Sequence, residues 1–169
     1  MAATTGILIL NHKQIEQKTR RIAYQIYENN IAEKEIILAG ITKSGYKLAQ
    51  KLNAMLQEIS SLQTLLCKVE INKTAPLSDQ IKTSLTPTQY QDKSIVIIDD
   101  VLNSGATLMY GCKHFLEVPV KKLQTAVLVD RSHKKFPINA DFKGISLSTS
   151  LNETVQVNFT DTDSKVLLF

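Results

Sequence analysis

The sequence predicts an α/β fold: one domain spanning residues 1–169, with a mainly parallel central sheet and helices on both faces. Three observations predict it. Glu35–Ala39, Thr64–Ile71, Ser94–Ile98 and Leu123–Val129 are apolar runs rich in β-branched residues, continuous rather than alternating, as strands buried on both faces are. Segments with apolar residues at helical spacing fall between them. A chain of 169 residues is also long enough for one well-formed core.

Taken in order, Ile15, Ile22, Ala23 and Ile26 recur every three or four positions, so Lys13–Asn29 reads as an amphipathic helix with Lys18, Arg21, Gln25 and Glu28 outward. Glu35–Ala39 is a short strand ending at Gly40. Ser44–Ile59 is a helix with Leu48, Leu52, Met55 and Leu56 on its inner side and Ser44 as its expected N-cap. Thr64–Ile71 is the next strand. The polar stretch Asn72–Lys93, with Pro76 and Pro87, is long for a structureless connection, so it is either a lid or a partly ordered hairpin. The strand Ser94–Ile98 leads to a helix from about Gly105 to Phe115, then to the strand Leu123–Val129. Phe142–Ile145, Thr154–Phe159 and Lys165–Phe169 are short β-like segments.

The formal charge of +4 is mild and its basic residues are dispersed, which fits an anionic small ligand and permits RNA without demanding it. Residues Met1–Thr5 carry no secretory pattern, and no apolar run is long enough to span a bilayer, so a cytoplasmic protein is expected. Cys67 and Cys112 read as separate reduced thiols. His12, His114 and His133 have no ligand spacing with them, so no structural zinc is expected.

Ile95–Thr107 carries the chemistry. A buried strand delivers Asp99 and Asp100 to its carboxyl end. Asn103, Ser104, Gly105, Ala106 and Thr107 follow, small residues that let backbone N–H groups at a helix start approach an anion. The hydroxyls of Ser104 and Thr107 add donors, and the paired carboxylates suit vicinal sugar hydroxyls. The plain alternative is a strand–turn–helix junction with two solvated aspartates. The pattern favours a site for a phosphorylated sugar. A second strand-to-helix loop, Ala39–Gly45, offers Lys43 beside free N–H groups, or else a surface lysine.

Ile95–Thr107 resembles the phosphoribosyl pyrophosphate signature of type I phosphoribosyltransferases. The resemblance implies that Asp99 and Asp100 hold the ribose hydroxyls, that Asn103–Thr107 hold the 5′-phosphate, and that Thr42, Lys43, Ser44 and Gly45 hold pyrophosphate. It implies Mg²⁺ arriving with the ligand, Asp99 being the carboxylate nearest to a metal role. It implies a small hood after Val129, with Asp130, Phe142 and Lys143 near the base; the plain alternative for Phe142 is a core aromatic. Arg21-Ile22-Ala23, Gly40-Ile41-Thr42, Ala126–Arg131, Pro137-Ile138 and Ala140-Asp141-Phe142 resemble the branch of pyrimidine-operon attenuators with uracil phosphoribosyltransferase activity.

Purine enzymes of the family place an aspartate where Asn103 stands and a lysine where Asp130 stands, which disfavours a 6-oxopurine; uracil is what the attenuator resemblance implies. The expected activity is transfer of the phosphoribosyl group to that base in nucleotide salvage, with Asp99, Asp100 and Lys43 as the catalytic residues. Two alternatives stand beside it: an RNA-binding regulator and a non-catalytic nucleotide binder. Compared with the attenuators, the lid between Asn72 and Lys93 is short, and Ala106, Tyr24, Asn29, Asn139 and Ile145 replace basic or histidine positions; Arg20, Arg21, His133 and Lys134 remain for RNA. The family implies a homodimer or homotetramer. The tail Val166–Phe169 serves an interface or closes the core.

Overall fold

The apolar runs become the inner strands of a six-stranded sheet in the computed structural model, which describes residues 5–169. The expectation for the first five residues therefore lies, for residues 1–4, outside the described residues. The elements are β1 (Ile7–Leu10), α1 (His12–Asn29), β2 (Glu35–Ile41), α2 (Ser44–Ile59), β3 (Gln63–Glu70), β4 (Lys82–Thr83), α3 (Pro87–Tyr90), β5 (Ser94–Leu102), α4 (Ala106–Phe115), β6 (Lys122–Asp130), β7 (Phe142–Ser146), β8 (Val155–Asn158) and β9 (Lys165–Leu168).

The sheet order is β4-β3-β2-β5-β6-β7, with β3 through β7 parallel and β4 antiparallel at the edge. Because side chains alternate along a strand, each continuous apolar run feeds two cores. Ile36, Leu38, Val96 and Ile98 pack with Ile15, Ile22 and Ile26 of α1 and Leu48, Leu52 and Leu56 of α2. Ile37, Ala39, Ile95 and Ile97 pack with Leu108 and Phe115 of α4 and Tyr90 of α3. The Tyr90 and Phe115 rings meet edge to face, with centroids 4.9 Å apart. Phe115 is fully buried. Replacing it with alanine is expected to cost about 3–5 kcal/mol, read as an earlier midpoint in urea unfolding.

The stretch Asn72–Lys93 resolves toward the hairpin alternative. Val69 pairs with Thr83 and Glu70 with Lys82, and α3 follows with Thr86 and Gln89 forming a capping box. Three readings need correction. Helix α2 is preceded by Lys43 rather than capped by Ser44, which is its first residue, and no side chain caps it. Strand β5 runs to Leu102, past the expected end at Ile98, because Asp99 and Val101 stay paired with Val127 and Val129 of β6. Helix α1 starts at His12, one residue before the expected Lys13, behind an Asn11–Gln14 capping box.

A second sheet, in the order β1-β9-β8 and antiparallel throughout, brings the two ends of the described chain together. Strand β1 was not expected from the sequence. Val166, in the central strand of this small sheet, is fully buried in the first core, so the tail closes that core. Both cysteines are free thiols, Cys67 buried and Cys112 half-buried.

One feature of the topology positions the site. From β2 the chain passes through α2 to β3 on one side. From the neighbouring β5 it passes through α4 to β6 on the other, and α2 and α4 cover opposite faces. Open α/β sheets hold ligands at the carboxyl ends of strands where the order reverses. Both loops singled out in the sequence leave the sheet there.

Candidate active site

Strand β5 carries Asp99 into a buried position, 2% exposed, with Asp100 half-buried beside it. The Asp99 Oδ1 atom accepts from the backbone N–H of Asp100 at 2.9 Å and from Lys73 Nζ at 2.7 Å. The same ammonium lies 3.4 Å from Asp100 Oδ1. Burial is the largest influence on Asp99 and pushes its carboxyl up to about 7; Lys73 opposes that shift and Asp100 adds to it. For Lys73, burial pulls the ammonium down, but the two carboxylates outweigh it and the net shift is upward.

Beyond Leu102 the chain turns through Asn103 and Ser104 to Gly105, whose φ of 87° belongs to the left-handed region that side chains disfavour. Helix α4 begins at Ala106, one residue later than expected, and its first N–H donates to Ser104 Oγ at 3.3 Å. The segment after β6 holds the turn from behind. Arg131 N donates to Leu102 O, and the N–H groups of Lys135 and Phe136 both donate to Ser104 O. The result is a cavity of about 240 Å³ bordered by Lys73, Asp99, Asp100, Ser104, Thr107 and Val155 of the small sheet. Asn103 and Gly105 also line it, and Ala106 does not.

The second loop lies alongside. Thr42 and Lys43, joined by a cis peptide bond, line a cleft of about 900 Å³ with Tyr46, Lys47, Lys68 and Lys82. Gly45 lies where α2 meets β5: a Cβ there would stand 2.7 Å from Ile98 O and 3.0 Å from Asp99 Oδ1. That contact brings the start of α2 against the acidic strand. Asn72 lines the larger cleft and Lys73 the smaller cavity, so the first residues after β3 stand between the two.

The residues expected at the base divide. Asp130 is buried, with Lys143 Nζ 3.5 Å and Lys134 Nζ 3.8 Å from its Oδ2. Phe142 requires correction: it is 4% exposed and packs in the core on the α1 side, so its ring is not available to stack on a base. The basic residues expected for RNA are all engaged internally. Arg20 pairs with Glu58 at 2.9 Å, and Arg21 donates to the carbonyls of Lys143 and Gly144. His133 bonds Thr149 O, and Lys134 bonds Asn139.

Two site residues had no role in the sequence reading. Lys73 belongs to the stretch expected to be a lid or a hairpin, and nothing local in the sequence marks it. Val155 comes from the small sheet, whose pairing is not visible in a linear pattern. Among the described residues no three carboxylate, histidine or cysteine side chains gather to hold a metal ion. The donors present, Asp99 and Asp100, fit a divalent cation only as one that comes with a phosphate-bearing ligand. No helix among the described residues is long and apolar enough to cross a membrane.

Comparison with known proteins agrees with the geometry. The phosphoribosyl transferase domain family matches residues 8–164. The bifunctional protein PyrR of Clostridium kluyveri is 35% identical over 163 residues, covering 92% of each chain. PyrR of Bacillus subtilis is 30% identical, covering 95% of this chain and 94% of its own. The hypoxanthine phosphoribosyltransferase of Trypanosoma cruzi superposes with a TM-score of 0.76 over 95% of each chain at 16% identity, a likeness of fold. A hypoxanthine-guanine phosphoribosyltransferase from Bacillus anthracis gives 0.68 at 18% identity, covering 88% of this chain and 85% of that one. With an acidic pair and two strand-to-helix loops meeting where the sheet order reverses, and with these relatives along nearly its whole length, the chain belongs to the phosphoribosyltransferase family and resembles PyrR.

Proposed function

We propose that residues 1–169 act as one phosphoribosyltransferase domain that transfers the 5-phosphoribosyl group of phosphoribosyl pyrophosphate to uracil. The products are uridine monophosphate and pyrophosphate. The observation that carries this reading is the contact of Gly45 with Asp99, which sets a phosphate-type loop against the buried acidic pair at the switch point of the sheet.

In the reaction the bond from ribose C1 to the pyrophosphate oxygen breaks and a bond to the base nitrogen forms; the proton on that nitrogen is released. Asp99 and Asp100 accept from the ribose hydroxyls and set their negative charge near a ring that becomes cationic. Asn103, Ser104 and Thr107, with the amides at the start of α4, hold the 5′-phosphate, and that remote binding positions C1. Lys43 and the amides of Thr42–Gly45 stabilise the charge growing on pyrophosphate. Asp99 and Asp100 are the residues that would hold a Mg²⁺ ion arriving with the ligand, which would supply further neutralisation of the leaving group. Asp130 and Lys143 are the groups next to the base, with Phe142 supporting them from the core. A cytoplasmic site of action and a homodimer or homotetramer belong to the same reading.

RNA binding takes second place because Arg20, Arg21, His133 and Lys134 already have intramolecular partners. The test is pyrophosphate release with Mg²⁺, offering uracil, hypoxanthine, guanine, adenine, xanthine and orotate in turn. Release with uracil alone is expected. Release with a purine would overturn the assignment of the base. Calorimetric binding of phosphoribosyl pyrophosphate without any release would place the chain with the non-catalytic binders.

A further inference from the structure

The guanidinium of Arg131 is buried, the residue being 8% exposed, at the end of β6. Each of its three nitrogens donates. Nη1 donates to Asn103 Oδ1 at 2.9 Å, and Nε and Nη2 both donate to Thr149 Oγ1, at 3.1 and 2.9 Å. Nη2 also reaches the carbonyls of Glu153 at 2.6 Å and Ser150 at 3.4 Å. Every acceptor is neutral. Among the described residues no carboxylate forms an ion pair with it; the Glu153 carboxylate, which accepts from Ser150 N, feels its charge without pairing with it. A buried cation with no ion-paired partner is costly, and an anion brought near it relieves part of that cost.

Asn103 stands between this cation and the cavity it helps to line. An amide has one acceptor oxygen and two N–H donors, and its orientation follows from its partners. With Oδ1 taken by the guanidinium, the Nδ2 donors are the part of Asn103 left for a ligand oxygen. The other arm of Arg131 holds Thr149–Glu153, the segment leading into β8, and Val155 of β8 borders the same cavity. His133 Nε2 bonds Thr149 O at 2.7 Å and fastens the same segment.

We infer that Arg131 is the positioning residue of the 5′-phosphate site: it orients the Asn103 amide as a donor, supplies positive charge from behind the loop, and ties the loop to the small sheet above it. This rests on the reading of Asn103–Thr107 as a phosphate loop.

The test is calorimetry on the full chain with two probes, ribose 5-phosphate and magnesium pyrophosphate. Arg131→Gln is expected to weaken ribose 5-phosphate about tenfold, the loss of one charge-assisted contact, and to leave pyrophosphate unchanged. Arg131→Lys keeps the charge but not the fork and should recover part of the loss. Thr149→Val, which removes only the hydroxyl that accepts two of the guanidinium bonds, should weaken ribose 5-phosphate about threefold, and it serves if Arg131→Gln does not fold. Unchanged ribose 5-phosphate affinity in the variant that folds overturns the inference. So does equal loss of both probes, which marks a general structural role. Wild-type protein that binds pyrophosphate but not ribose 5-phosphate would instead overturn the phosphate-loop reading on which the inference rests.

Discussion

Asp99→Asn is expected to raise the melting temperature of the ligand-free protein by about 4 °C while lowering turnover on the order of a thousandfold. The two effects have one cause. Burial holds the Asp99 carboxyl at about 7, well above its ordinary value, so ionising it works against the fold. The sign follows from proton counting. Between about pH 4 and pH 7 the native chain keeps a proton on Asp99 that the unfolded chain has lost, so this group's stability contribution is present at low pH and disappears as pH rises through 7. Asparagine keeps the acceptor for Asp100 N and removes the charge. The gain in melting temperature over wild type should therefore grow from pH 4.5 to pH 7.5, measured by calorimetric scanning. A gain that shrinks over that range would contradict the assignment. The loss of turnover arises because a neutral amide gives the ribose hydroxyls a weaker acceptor and leaves the cationic ring only the Asp100 carboxylate. In the double variant Asp99→Ala/Asp100→Ala, binding of phosphoribosyl pyrophosphate should fall below detection.

Gly45→Val is the second large effect. Its Cβ would meet two backbone atoms, Ile98 O at 2.7 Å and Asp99 Cα at 2.9 Å, which cannot rotate out of the way as a side chain end could. The start of α2 must then move off β5. Overpacking of that kind costs about 1–3 kcal/mol or more, and here the displacement separates the pyrophosphate loop from the acidic pair. Pyrophosphate release should fall by at least about a hundredfold, since misplacement of reacting groups by an ångström has that consequence. Gly111→Ala is the control. A Cβ there meets nothing closer than 3.8 Å and lies within α4, so alanine should stabilise the protein by about 1 kcal/mol and leave the site alone. Parallel melting and activity measurements on both variants separate crowding at one glycine from a general effect of losing one.

Much of this was legible because the informative residues are local. The run Ile95–Ile98 into Asp99-Asp100, and the turn to Gly105, combine strand, charge and small residues within a few positions, and Gly40–Gly45 does the same. The errors have physical reasons. Strand β5 looked finished at Ile98 because aspartate disfavours strands; pairing with β6 overrides that preference. Ile7–Leu10 is too short to announce itself and becomes β1 only by pairing with β9, more than a hundred residues later. Phe142 lies next to Lys143 in sequence, but the alternation of a strand sends neighbouring side chains to opposite faces, one to the core and one toward Asp130. Lys73 was not legible at all as a site residue, because its meaning lies in the distance to carboxylates far along the chain.

That lysine gives binding the character of an ion exchange. In the ligand-free protein its ammonium already fills the position between Asp99 and Asp100 that a ribose diol would claim, so the sugar enters by substitution rather than into an open acceptor pair. Added salt then acts twice, and in opposite directions. It screens the attraction between the loops and a polyphosphate, and it loosens the ammonium that must withdraw. Affinity for phosphoribosyl pyrophosphate should accordingly fall less steeply with ionic strength than affinity for pyrophosphate alone, although the larger molecule carries more charge. A displaced Lys73 remains tethered beside Asn72, which lines the larger cleft.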